Sequence, residues 1–190
     1  MGFVASTDFK KGLKLLISNE PWAIVEAQFV KPGKGTAFTR TKFKNLRTGR
    51  IYEENVRSGD GYPSADTEEV EMQYLYKEGD AYVFMNNVNY EQISLTEEQM
   101  GEQANWLVDN TVVKVMFFNN SPLTIELPNF IELEITYCEP GVKGDTATGA
   151  SKTATLSTGA TVQVPLFVEQ GEVIRVDTRE GTYVDRVRRK

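Results

Sequence analysis

The sequence predicts an all-β protein built as three small units, and three observations carry that prediction. Apolar and polar residues alternate with a period of two over several stretches, among them residues 37–45 and 130–137. Two breaks rich in turn formers, Ser58-Gly59-Asp60-Gly61-Tyr62-Pro63-Ser64 and Pro128-Asn129, divide the 190 residues into thirds. A single segment, opened by Thr96-Glu97-Glu98-Gln99, has the signature of a capped helix. The expected units are therefore 1–64, 65–127 and 128–190.

In the first unit, residues 13–17 and 22–30 are apolar strand-like runs separated by a turn at Ser18-Asn19-Glu20-Pro21. The second run leads into Val30-Lys31-Pro32-Gly33-Lys34-Gly35. Pro32 fixes φ for the second position of a tight turn, and Gly33 is expected to supply the positive φ of a type II turn. This geometry pushes Lys34 out at a hairpin tip, with Gly35 relaxing the backbone behind it. A lysine held there can reach into a narrow site or be modified by another enzyme. Beyond the tip, Ala37, Thr39, Thr41 and Phe43 share one strand face, and Phe38, Arg40, Lys42 and Lys44 share the other. That second face reads as a basic stripe able to meet phosphates.

In the second unit, Val70, Met72, Tyr74 and Tyr76 alternate against Glu71, Gln73 and Lys77. A Glu78-Gly79-Asp80 turn and a strand over 81–85 follow. The helix begins at Thr96 and places Met100, Ala104 and Leu107 on one face. Strands over 112–118 and 123–127 flank an Asn119-Asn120 turn. Several strands with one short helix in about 60 residues fit a small OB-like barrel. In the third unit, Ile131, Leu133, Ile135 and Tyr137 point inward. Residues 139–155 show neither period and read as one long loop. Strands resume over 162–168 and 172–177, and the latter pairs with 182–187 through Thr178-Arg179-Glu180-Gly181.

Composition narrows the chemistry. The chain has no histidine, which removes the commonest general base and transition-metal ligand and excludes Ser-His-Asp and Cys-His catalysis. Cys138 is the single cysteine, so internal disulfides are impossible; it lies in an apolar run and is expected to be a buried small hydrophobe. No apolar run approaches the ~18 residues of a membrane span, and no signal-peptide pattern is present. Met1-Gly2 with Ser6 fits a loose myristoylation pattern without the polybasic cluster that would supply a second membrane signal. A binding protein of a reducing cytoplasmic compartment, with no membrane partner, is expected.

The net charge of −6 hides a strong asymmetry. Residues 1–64 hold 11 Lys/Arg against 6 Asp/Glu, residues 65–127 hold 2 against 12, and residues 128–190 hold 8 against 9. Arg186, Arg188, Arg189 and Lys190 crowd the last five positions. Such polarity suits a protein that touches polyanions at its ends and not along its middle. Two rival readings fit less well. A single-strand nucleic-acid binder would use aromatics on a basic face, whereas Tyr74, Tyr76, Tyr82 and Phe84 lie in the acidic third. A carboxylate-dependent hydrolase would draw on Glu68, Glu69 and Glu71, which show no acid–base distinction.

Taken together, these residues resemble bacterial elongation factor P over essentially the full length. Lys31-Pro32-Gly33-Lys34-Gly35 is similar to that family's modified-lysine loop. Gly144-Asp145-Thr146 is similar to its third-domain ribosome-contacting loop. Lys152-Thr153-Ala154, Gly159, Val162, Val164-Pro165, Val168 and Gly171 reproduce its C-terminal signature. The hypusine-bearing factor of archaea and eukaryotes is related through the first two units. Two departures stand out: Thr36 replaces a frequent glutamine, and residues 147–151 are less glycine-rich than in some relatives.

The resemblance implies an L-shaped arrangement of an SH3-like domain and two OB-like domains. It implies a monomeric, non-catalytic factor that binds both ribosomal subunits between the peptidyl- and exit-tRNA sites. There it promotes peptide-bond formation at consecutive prolines by positioning the peptidyl-tRNA. Lys34 is the implied modification site, extended by a β-lysyl or related group and sometimes hydroxylated by a dedicated enzyme; no other cofactor or metal is implied. RNA contacts are expected from Lys31, Arg40, Lys42 and Lys44 near the tip, and from Gly144, Asp145, Thr146, Gly149 and Arg186 in the third unit.

Overall fold

In the computed structural model, residues 2–141 and 150–188 are described. The expected loop residues Gly144, Asp145, Thr146 and Gly149 lie outside the described residues. The chain divides into two compact units. One comprises Met1–Val70, Ser94–Gln99 and Val115–Thr124; the other comprises Glu71–Ile93, Met100–Lys114 and Ile125–Lys190.

The N-terminal strands are β1 (Phe3–Ala5), β2 (Lys14–Ile17), β3 (Glu20–Val30), β4 (Phe38–Asn45), β5 (Ile51–Arg57) and β6 (Gly61–Pro63). Strands β2 to β5 form a four-stranded antiparallel sheet in sequence order, and β1 pairs with β6. The β2–β3 turn is shorter than expected. Ser18 and Asn19 both adopt positive φ, 52° and 64°, the geometry of a two-residue type I′ hairpin. Glu20 and Pro21 therefore belong to β3, where Pro21 sits opposite Leu16. The core holds Phe9, Leu15, Ile24, Phe43 and Val56. Phe43 is fully buried, with the rings of Phe9, Tyr52 and Tyr62 around it. Ser6 closes one end: its hydroxyl donates to the Arg57 carbonyl at 2.8 Å, and its own carbonyl accepts from Thr39 at 3.0 Å.

The middle sheet contains β7 (Thr67–Glu78), β8 (Ala81–Met85), β9 (Gln92–Thr96), β10 (Val112–Phe118) and β11 (Ser121–Glu126), in the order β11-β10-β7-β8-β9. Tyr74 pairs with Phe84 and Tyr76 with Val83, which leaves Leu75 as an extra residue. This bulge reverses the alternation: Met72 and Tyr74 are buried as expected, but Tyr76 faces solvent. Since Tyr74, Tyr82 and Phe84 are buried, they are not available as a stacking platform. The capping box forms. Thr96 N–H donates to Gln99 Oε1 at 2.9 Å, and Gln99 N–H donates to Thr96 Oγ1 at 3.2 Å. Helix α1 is only Glu97–Met100, because Gly101 turns to φ 54° and the chain continues as a 3-10 helix through Trp106. The Asn119-Asn120 turn is again type I′-like, with φ of 50° and 62°.

The last sheet contains β12 (Phe130–Cys138), β13 (Ser151–Leu156), β14 (Thr161–Pro165), β15 (Val173–Asp177) and β16 (Thr182–Arg186), in the order β14-β13-β12-β15-β16. Two expectations are corrected. Residues 151–155, read as part of a long loop, pair with both β12 and β14. Their small residues hide a clean alternation, in which Lys152, Ala154 and Leu156 are buried. A register shift between Ile135 and Tyr137 exposes Tyr137 and turns Cys138 inward. The β15–β16 hairpin forms as expected. The Arg179 guanidinium beside Asp177 holds that carboxyl below the ordinary carboxylate value.

The β1–β6 pairing leaves no room for a side chain at Gly61: an added Cβ would lie 2.0 Å from the Val4 carbonyl oxygen. Gly61→Ala is expected to destabilise the β1–β6 pair by about 2 kcal/mol or more, as overpacking does. Hydrogen exchange should show lost protection in the β1 amides, with the last sheet unchanged.

Candidate functional site

The site is built from the longest hairpin of the first sheet. Strands β3 and β4 pair from Trp22 opposite Asn45 out to Val30 opposite Phe38. At ~3.3 Å per residue this ladder is roughly 25 Å long. Burial along β4 follows the sequence pattern. Thr39, Thr41, Phe43 and Asn45 are buried, while Arg40 and Lys44 are exposed and Phe38 and Lys42 are half-buried.

The tip differs from the expected turn. Gly33 does not have positive φ; Gly35 does, at 107°. Residues 33–35 form a bend, and no type II turn centred on Pro32-Gly33 is present. Pro32 sets the exit from β3, and the reversal is displaced two residues onward. Only glycine reaches this φ easily, so Gly35 carries the geometry assigned to Gly33. An added Cβ on Gly33 would meet nothing within 4 Å, so this position stays open beside Lys34. Lys31, Gly33, Lys34, Gly35 and Thr36 are all exposed and Pro32 is half-buried. Among the described residues, Lys31 and Lys34 make no hydrogen bond or ion pair. Lys34 is therefore a cation at the end of the ladder, with no described residue holding its side chain down.

Register resolves the basic stripe into parts. Arg40 lies between Gln28 and Asn55, two neutral neighbours. Lys42 lies between Glu26 and Glu53, with its Nζ 3.2 Å from the Glu26 carboxylate. Lys44 lies between Ala23 and Ile51, and Lys14 opposite Ala23 extends that row, with its Nζ 3.9 Å from the Glu69 carboxylate. Lys42, expected to meet phosphate, is thus locally compensated, and the uncompensated cations of the stripe are Arg40 and Lys44. Nearer the tip, Arg57 on β5 pairs with Phe38, one diagonal step from Arg40 on the same face. Arg57 was missed in the sequence because β5 carries a weak strand signal and its register was unreadable. Arg40 and Arg57, with Lys31 and Lys34 beyond them, form an uncompensated basic group at the tip end.

In the third sheet, Arg186 is exposed but engaged. It donates to Glu172 at 3.1 Å and lies 4.8 Å from the Phe167 ring centre. Its charge is partly neutralised, so it offers a flat guanidinium face more than a free cation. No group of His, Cys, Asp and Glu able to hold a metal ion occurs among the described residues.

Known proteins match this chain over most of its length. Residues 5–61 match the family model described as "Elongation factor P (EF-P) KOW-like domain". Residues 67–125 match "Elongation factor P (EF-P) OB domain", and residues 123–186 match "Elongation factor P, C-terminal". Elongation factor P of Desulfitobacterium hafniense strain DSM 10664 / DCB-2 is 51% identical over 183 residues, covering 96% of this chain and 99% of that protein. The same protein from strain Y51 is equally similar. Among solved structures, a eukaryotic translation initiation factor 5A from Methanococcus jannaschii superposes with a TM-score of 0.52 at 21% identity. It covers 66% of this chain and 94% of its own, a likeness of fold alone. With family models matching nearly all of residues 5–186 and relatives at half identity, the chain belongs to the elongation factor P family of translation factors.

Proposed function

We propose that this translation factor binds the ribosome between the peptidyl- and exit-tRNA sites and relieves slow peptide-bond formation at consecutive prolines. The observation that carries this reading is the tip itself: an exposed, unpaired Lys34 on an open bend at the end of a long, well-registered hairpin. The proline ring restricts the backbone of the reacting residues, so the difficulty is one of geometry. Correct positioning of reactants is worth as much as ~7–11 kcal/mol, so a factor that orients the peptidyl-tRNA needs no acid or base of its own. A chain without histidine fits that requirement.

Lys34 is the proposed site of covalent extension by a β-lysyl or related group. Its exposure gives a modifying enzyme access, and the extension would lengthen its reach toward the tRNA 3′ end. Arg40 and Arg57 are the proposed phosphate contacts behind it, with Lys44 further along the strand. Arg186 would touch RNA by stacking its guanidinium face. The factor is proposed to act as a cytoplasmic monomer; no described helix is long and apolar enough to cross a membrane.

In a reconstituted translation system lacking such a factor, the protein purified from its source should restore synthesis of a reporter containing three consecutive prolines. Lys34→Ala should lose most of that rescue while its thermal midpoint stays unchanged. Equal rescue by both proteins would remove the tip from the mechanism.

The register makes a second prediction. Arg57→Ala and Arg40→Ala should each weaken ribosome binding and flatten its salt dependence by about one unit of log–log slope, as expected for one lost phosphate contact. Lys42→Ala should do so much less, because its charge is offset by Glu26. A larger slope change for Lys42 than for Arg57 would place the RNA elsewhere on this face.

A further inference from the structure

The middle sheet displays a feature that the tip mechanism does not use. Strands β8 and β9 are joined by Asn86-Asn87-Val88-Asn89-Tyr90-Glu91, in which Val88 is 89% exposed and Tyr90 71% exposed. These two are the most exposed large hydrophobic residues described in the chain. Single exposed apolar residues are ordinary, but two of them two positions apart on one short loop are a presented pair.

The loop is firmly built. Asn86 N–H donates to the Glu91 carbonyl at 2.9 Å, and Tyr90 N–H donates to the Asn86 carbonyl at 2.8 Å. Val88 N–H donates to Asn86 Oδ1 at 2.8 Å, and Glu91 N–H donates to Asn89 Oδ1 at 3.0 Å. Tyr90 sits at φ 61°, in the left-handed region. A bulky residue is rarely found there, and asparagine or glycine would fit with less strain. Three asparagines lie in this loop, yet the left-handed position carries the tyrosine. Tyr90 thus combines a strained backbone conformation with an exposed ring, and such strain clusters at functional sites.

The charge around the loop decides the occupant. Residues 71–93 and 100–114, which share the loop's compact unit, hold 2 basic against 6 acidic side chains, and Glu91 is the single charge in the loop. An RNA surface would be repelled by this region. A basic protein surface would be attracted, and tyrosine is among the residues that anchor protein interfaces. We propose that Val88 and Tyr90 form a preformed docking knob for a basic protein surface of the ribosome, separate from the RNA-directed tip. This inference rests on the ribosome reading above and adds a second, protein-directed contact to it. Because the loop is already fixed, little ordering is needed on binding.

The test is co-sedimentation of the full-length protein with 70S ribosomes of its own organism, paired with thermal melts. Tyr90→Ala and the double variant Val88→Ala/Tyr90→Ala should bind at least about five-fold more weakly, as loss of an interface anchor does. Tyr90→Asn is the decisive variant. It relieves the left-handed strain, so its melting temperature should equal or exceed the parent's while its binding falls like that of Tyr90→Ala. A residue with only a structural role would not separate the two readouts in this way. A photo-crosslinking amino acid at position 88 should label a ribosomal protein. Parent-like binding by Tyr90→Asn, or crosslinks to ribosomal RNA in place of protein, would overturn the proposal while leaving the ribosome reading intact. Failure of the parent protein itself to sediment would overturn both.

Discussion

The register of the β3–β4 hairpin is the constraint on which the candidate site depends. Phe43 is fully buried against Phe9, Tyr52 and Tyr62, and with Thr39, Thr41 and Asn45 it assigns the inner face of β4. Strand side chains alternate with a period of two, so every residue between them must face outward. A slip by one residue would bury Arg40, Lys42 and Lys44 and expose Phe43, which burial energetics forbid. The aromatic cluster at the base thus sets where the cations lie far along the strand. The Thr41 hydroxyl donates to the Thr39 carbonyl and the Thr39 hydroxyl to the Ser6 carbonyl, so these two buried hydroxyls are satisfied.

The same register explains why the stripe is not uniform. Three cations at alternate positions look equivalent along β4, but each takes its character from β3 and β5. Glu26 and Glu53 flank Lys42, neutral side chains flank Arg40, and Arg57 joins from the neighbouring strand. An interface on this face would therefore be anchored at the tip end and at Lys44, with a locally neutral step between. That pattern suits a partner whose charge is also discontinuous along the strand, as phosphates on a helical backbone are.

Much of this was legible in the sequence, and the failures have physical causes. The alternation in 37–45, the capping box at Thr96 and the buried Cys138 needed only local patterns. Tyr76 and Tyr137 were misplaced because a single inserted residue, Leu75 in one strand and Thr136 in the other, reverses all that follows. Strand β13 was hidden because serine, threonine and alanine carry little hydrophobic contrast. Strands β1 and β6 span three residues each and were too short to show a period. Pro32-Gly33 is the commoner turn signal and points to Gly33, whereas the left-handed residue of the tip is Gly35. Arg57 needed pairing information that one strand cannot carry.

The tip and the 86–91 loop present side chains by opposite means. At the tip, glycines at 33 and 35 flank Lys34, the bend makes no strand hydrogen bonds, and the lysine itself is a long flexible chain. Precision there resides in the ladder below, and the end is left free to adjust or to accept an added group. In the 86–91 loop, side-chain and backbone hydrogen bonds hold every turn of the chain, and the presented groups are short or rigid. A flexible reach is useful where the target is narrow and the final fit is made by the target. A rigid knob is useful where the fit must exist before contact, because ordering it afterwards would subtract from affinity. A glycine-flanked lysine in a basic third and a tyrosine held by backbone hydrogen bonding in an acidic third therefore suit different partners, the first a polyanion and the second a cationic protein.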